Sequence, residues 1–209
     1  MNVDISRTEK ISAKIVSYIF HPLFYPTLGL YFFLHSGTYL DTMNNEAKYF
    51  LYVILGFSTC ALPLLSLPVF TYRRLIKNIE MENRTERVLP LTFVVIFYFL
   101  GFYLLSRLPI PQIIIAYSLS VTSIAAIALL VTIWWKISFH TLGAGGLLGA
   151  LIALSLKFDT SLQIYMVAVL IITGLVSSAR LLLNAHTPMQ ITAGFFTGFT
   201  VAFSGIYLL

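Results

Sequence analysis

The 209-residue chain is 58% hydrophobic and only 10% charged, against about 25% charged in ordinary globular domains. A mean hydropathy of +0.89 and recurring apolar runs of about 20 residues describe a polytopic membrane protein. They exclude a soluble domain, a disordered chain, a collagen-like fibre and a disulfide scaffold. The net charge of +5 comes from basic residues scattered between apolar runs, which indicates membrane topology and anionic ligands, with no nucleic-acid partner.

Seven apolar segments follow in chain order, at 15–35, 49–70, 88–106, 111–135, 141–156, 162–183 and 188–208. They predict an all-α fold: one integral-membrane domain over residues 1–209, a transmembrane helix bundle of six to seven spans. The first segment follows Arg7, Lys10 and Lys14, which resemble the n-region of a signal peptide. Its apolar run is too long for a signal h-region and shows no convincing small-residue cleavage site, so a retained helix bent at Pro22 and Pro26 is expected. The second run contains Cys60, the only cysteine, which leaves no disulfide within the chain. The stretch from Val88 to Trp135 is too long for one crossing, and Ser106-Arg107-Leu108-Pro109-Ile110-Pro111 divides it into two helices. Trp134 and Trp135, beside Lys136, read as an interfacial anchor. Gly145-x3-Gly149 and Gly194-x3-Gly198 read as helix-contact faces.

Seven spans place the N-terminus and the loops after spans two, four and six on one side. That side holds Arg7, Lys10, Lys14, Arg73, Arg74, Lys77, Arg84, Arg87, Lys136 and Arg180; the other holds Lys48, Arg107 and Lys157. The positive-inside rule then puts the N-terminus and the basic face in the cytoplasm, and a bacterial inner membrane is the expected location. Setting aside Lys77, Arg84 and Arg180 as ligand-binding residues leaves the bias in place.

The concentrated polar chemistry falls on that basic side, in segments 77–87, 136–141 and 180–190. An even number of crossings separates each from the next, so all three are able to meet at one membrane face. In the third, Thr187 is placed to cap a helix with Pro188 in its first position and Gln190 completing a Thr-x-x-Gln capping box. The helix end beside His186 is then an anion site. Ser138 is placed to cap the fifth span, with His140 in its first turn. Two histidines at such ends, with Lys77, Arg84 and Arg180 nearby, suit a transferring phosphoryl group. One imidazole attacks phosphorus, the other protonates the leaving oxygen, and the cations neutralise the remaining oxygens.

The three segments resemble the three-part signature of the type-2 phosphatidic acid phosphatase superfamily: Lys-x6-Arg-Pro, Pro-Ser-Gly-His and Ser-Arg-x5-His-x3-Asp. Lys77 and Arg84 match the first, with Thr85 in the place of Pro. Ser138 and His140 match the second, with Ile137 and Phe139 replacing Pro and Gly. Arg180 and His186 match the third, with Ala179 replacing Ser and Gln190 standing where the family has Asp. Gly194 and Gly198 fit the family's glycine-bearing last helix.

The resemblance implies an all-helical membrane lipid phosphatase that works without metal or cofactor. His186 would be the nucleophile, passing through a phosphohistidine, and His140 the acid for the leaving group. Lys77, Arg84, Ser138 and Arg180 would hold the phosphate oxygens. The substrate would be a lipid phosphate such as phosphatidic acid, phosphatidylglycerol phosphate or a polyprenyl diphosphate, with membrane lipids as the other partner. Residues 186 and 190 are one helical turn apart, so a Gln190 amide oxygen is able to fix the imidazole tautomer but carries no charge to stabilise an imidazolium.

Plainer readings stand beside these. Either histidine is an interfacial side chain bonded to backbone, and Lys77 and Arg84 belong to a solvated loop, with Arg87 competing for the ligand role. Lys136 snorkels to headgroups, and Gln190 is either a cap or a tautomer clamp. His21 and His35 have no assigned partner. A non-catalytic protein that binds or transports an anionic lipid is the rival function, favoured by Gln190, Phe139 and Thr85. A structural or assembly protein is a third reading, and it expects the three segments not to converge.

Overall fold

A computed structural model describes residues 6–76 and 84–209. Among these the chain is helical with no strand, and six helices are long and apolar enough to cross a membrane. Lys77 lies outside the described residues.

Helix α1 (Arg7–Ile19) starts at a capping box in which Ser6 Oγ accepts from Glu9 N and Glu9 returns to the Ser6 N–H. It buries Ala13 and Ser17 and exposes Ile11, Ile15, Tyr18 and Ile19 beside Lys10 and Lys14, the pattern of an interfacial amphipathic helix. The helix expected over 15–35, bent at Pro22 and Pro26, is instead interrupted. The chain breaks at Phe20-His21, makes a 3₁₀ turn at Pro22–Phe24, and resumes as α2 (Tyr25–Leu34). Pro22 has no N–H to donate and disfavours helical backbone at His21, so α1 stops before it. At about 1.5 Å per residue, α2 covers half a bilayer core of about 30 Å. It is nonetheless deeply placed, with Leu30, Phe33 and Leu34 fully buried.

The next rod, Asn45–Tyr72, consists of α3 (Asn45–Gly56) and α4 (Leu62–Tyr72) joined by a π-helical turn at Phe57–Ala61. Pro63 cannot donate to the carbonyl of Thr59, and the widened turn absorbs the misfit. The remaining rods agree closely with the apolar runs: α5 (Arg84–Ser106), α6 (Gln112–Trp134), α7 (Phe139–Phe158), α8 (Gln163–Leu182) and α9 (Pro188–Tyr207).

The core is built on α7, whose Ala144, Ala150, Leu151, Ala153 and Leu154 have no exposed surface. Helix α9 lies directly on its glycine face. A Cβ at Gly145 or Gly149 would collide with the Phe195 or Phe199 carbonyl, and one at Gly194 would sit 2.7 Å from the Ser138 oxygen. Two polar links pin the site-side ends of this pair: Ser138 N donates to Gln190 O (3.4 Å) and Thr141 Oγ1 to Ile191 O (2.9 Å). Two longer links place the broken first segment. His140 at the start of α7 bonds the Ser17 carbonyl, and Thr160 just past its end donates to the Ser36 carbonyl at 2.7 Å. Segment 17–36 therefore runs the length of α7, a crossing made of a break and a half-helix.

Candidate functional site

Residues of all three polar segments line one cavity of about 870 Å³, within the 300–1,000 Å³ common for ligand sites. Arg87 comes from α5, Lys136 and His140 from the α6–α7 junction, and Arg180, Asn184 and His186 from the α8–α9 turn. Lys14 and His21 join them from the N-terminal segment. No Asp or Glu is among the described residues lining it. Deeper in, the wall becomes apolar: Leu67, Val94, Ile124, Ala125 and Leu147, with Tyr98 and Tyr117. The cavity has a cationic, imidazole-bearing mouth and an apolar interior.

His186 owes its position to the end of α8. Ala185 N donates to Arg180 O (3.1 Å) and Asn184 N to Leu181 O (2.9 Å), a Schellman pair that needs a left-handed residue between. Asn184 supplies it, at φ 50°, a conformation asparagine tolerates better than most residues. The chain reverses and buries His186 to 7% exposure.

Gln190 then orients the ring. Its Oε1 lies 3.1 Å from His186 Nδ1 and accepts the Thr187 N–H at 3.2 Å, while Gln190 N donates to Thr187 Oγ1 at 3.4 Å. The backbone N–H identifies the amide atom facing it as the oxygen, and an oxygen accepts only, so Nδ1 carries the ring proton. The Nε2 lone pair is left available. Cap and tautomer clamp, alternatives in the sequence, are one atom in the structure.

The same capping box weakens the anion site expected at the start of α9. Pro188 has no N–H, and the Gln190 N–H is spent on Thr187, so α9 retains little of the donor array expected of its start. Helix α7 differs. Ser138 is at its N-cap, but its hydroxyl makes no capping bond and has no hydrogen-bond partner among the described residues. The first turn of α7, with Phe139 and His140 in the cavity wall, is the uncapped positive helix end at the site.

The other expected residues divide. Ser138 has no exposed surface and does not line the cavity. Arg84 is exposed at the end of α5, donating Nη1 to Ile133 O at 2.6 Å, and also does not line it. Arg87, one turn further in, is buried at 6% exposure, lies 5.6 Å over the Phe139 ring and faces the cavity. Helical register carried that signal, since Arg87, Leu91, Val94 and Tyr98 line the cavity along one face of α5. His140 Nε2 lies 3.0 Å from the Ser17 carbonyl, which only accepts, so Nε2 is protonated and Nδ1 is the exchangeable position. Lys14 and His21 carried a weaker signal, as ionisable groups in or beside an apolar crossing.

Burial, then the neighbouring Arg87 and Arg180 cations, hold His186 well below the ordinary 6.5, at about 3. Gln190 opposes them as an acceptor. The ring is therefore neutral at physiological pH. Because the folded-state value lies below the unfolded one, the unfolded chain takes up this proton first. The stability His186 permits is full above pH 6.5 and declines as pH falls towards 3. Thermal unfolding in detergent is expected to show a larger drop in Tm between pH 7 and pH 4 for the wild type than for His186→Gln. Parallel curves would contradict a neutral buried imidazole.

A scan against family models, a search of curated proteins and a search of solved structures each return no match to this chain.

Proposed function

We propose that this integral-membrane protein is a lipid phosphate phosphatase of the type-2 phosphatidic acid phosphatase kind. The observation that carries the reading is the buried His186, its Nδ1–H held by Gln190 Oε1, beside His140, Arg87 and Arg180 in a cavity whose interior is apolar. The apolar interior suits a lipid tail, and the mouth suits its phosphate.

In this mechanism the His186 Nε2 lone pair attacks phosphorus. The P–O bond to the lipid breaks, its electron pair stays on the departing oxygen, and that oxygen takes the acidic proton of the monoanionic phosphate, passed to it through His140 Nδ1. Water then attacks the phosphohistidine, giving its proton to His140 as the P–N bond breaks and returns its electrons to Nε2. Arg87, Lys136, Arg180 and the uncapped start of α7 balance charge on the phosphoryl oxygens. The cations that depress His186 are themselves neutralised by a bound phosphate, so substrate raises the basicity of the ring it is about to meet. The positive-inside bias assigns hydrolysis to the cytoplasmic face.

Gln190 also supports a second reading, a protein that binds or moves an anionic lipid without hydrolysing it. A neutral amide orients the imidazole but gives its cationic form less help than a carboxylate would. Purified protein in detergent, assayed for phosphate release from phosphatidic acid, phosphatidylglycerol phosphate and polyprenyl diphosphate without added metal, separates the two. We expect release by the wild type, equal or faster release by Gln190→Asp, and a loss on the order of 10²-fold in Gln190→Leu. Wild-type silence with activity in Gln190→Asp favours the binding protein, and silence in both rejects the phosphatase.

A further inference from the structure

His21 lies far in sequence from the three polar segments, yet its half-buried ring lines the same cavity. It stands edge-to-face with His140, ring centroids 6.0 Å apart at 76°. The break between α1 and α2 brings it there. Had 15–35 formed one continuous helix, nothing at residue 21 would be turned by a 3₁₀ bend into the mouth.

The ring's own backbone fixes its protonation. His21 Nδ1 lies 3.4 Å from Leu23 N and takes that N–H, capping the 3₁₀ turn. A ring nitrogen that accepts holds a lone pair, so the neutral ring carries its proton on Nε2, at the edge away from the turn. His21 is thus a donor, where His186 presents a lone pair. A donor placed beside His140 is suited to an oxygen of an anion, and Arg180, in the same wall, acts electrostatically on both rings.

We propose that His21 is a third imidazole of the anion site, whose Nε2–H donates to a phosphoryl oxygen of the lipid phosphate on the side facing His140. The proposal rests on the lipid-phosphate reading of the cavity. It gives His21 a positioning effect as well as a binding one. By holding one non-bridging oxygen, it turns the leaving oxygen towards His140 Nδ1.

A merely structural role, capping the 3₁₀ turn, makes the opposite demand on substitutions. Asparagine places its Oδ1 near the position of Nδ1 and preserves the cap, but has no group at Nε2. Glutamine places an amide N–H near Nε2 and caps poorly. The experiment uses the full chain in detergent and two readouts for His21→Asn and His21→Gln. These are KM and kcat for phosphate release from phosphatidic acid micelles, and the Kd of inorganic phosphate from its protection against thermal unfolding. We expect His21→Asn to weaken phosphate binding and raise KM by about tenfold, with His21→Gln within about threefold of wild type. The reverse order, or equality of both variants with wild type, overturns the proposal. The binding readout is independent of turnover. A wild type that binds phosphate without releasing any fails the phosphatase reading while His21 is still tested by the Kd series. No phosphate binding by the wild type overturns both.

Discussion

His186→Ala is expected to abolish phosphate release from lipid phosphates, lowering kcat by at least about 10³-fold while the variant still unfolds cooperatively in detergent. The magnitude follows from the role. If His186 is the nucleophile, no covalent intermediate forms without its imidazole, and what remains is direct attack by water helped by the cations and the α7 terminus. A second signature accompanies it. Wild type quenched in base after mixing with phosphate-labelled lipid should retain label on the protein that is lost in acid, the behaviour of a phosphoramidate, and His186→Ala should retain none. A folded variant within tenfold of wild-type kcat would mean that water attacks phosphorus directly and that His186 has another task. His186 is the side chain to test first because its environment is so specific. A ring 7% exposed, with one nitrogen committed to Gln190, is arranged to use the other.

The second large effect is on the fold. At Gly198 an added Cβ would fall on the Leu142 carbonyl oxygen and lie 2.8 Å from Gly146 N and 2.9 Å from the Leu142 carbonyl carbon. All three are backbone atoms that no rotamer change moves aside. Gly198→Ala must therefore separate α7 from α9, at about 3 kcal/mol, the upper end for overpacked cores. Because the same seam carries the Ser138–Gln190 and Thr141–Ile191 links, separation also shifts His140 relative to His186. Unfolding in detergent should show the loss of stability, and the surviving folded fraction should have impaired turnover. Gly174, on α8, is the control. Nothing lies within 4 Å of its added Cβ, so Gly174→Ala should be neutral or stabilising by up to about 1 kcal/mol. Equal behaviour of the two variants would deny that the α7–α9 contact is uniquely tight.

Hydropathy located the rods because a bilayer demands length and apolarity of each. The run at 111–135, for example, is α6 from Gln112 to Trp134. The bend expected at Pro22 within 15–35 is a full break, because its missing N–H ends α1 inside an apolar run. Of the residues singled out by order and spacing, His140, Arg180 and His186 line one cavity, and Gln190 meets His186 from outside it. Arg84 was favoured over Arg87 by spacing to Lys77, whereas the register of α5 determines which arginine faces inward. The cap position of Ser138 was legible, but the direction of its hydroxyl depends on packing in a fully buried corner. The neighbours of His140 were beyond local reading, since the Ser17 carbonyl it meets is 123 residues away.

The oxygen shared by Thr187 and His186 ties reactivity to local order. When the first turn of α9 frays, Gln190 leaves both partners at once, and His186 is released to exchange its proton between nitrogens. The fraction of molecules holding His186 in its Nδ1–H form is then set by the opening equilibrium of a single helical turn. Conditions that loosen that turn, such as heat, harsh detergent or a thinner bilayer, are expected to free the His186 ring before they melt the bundle.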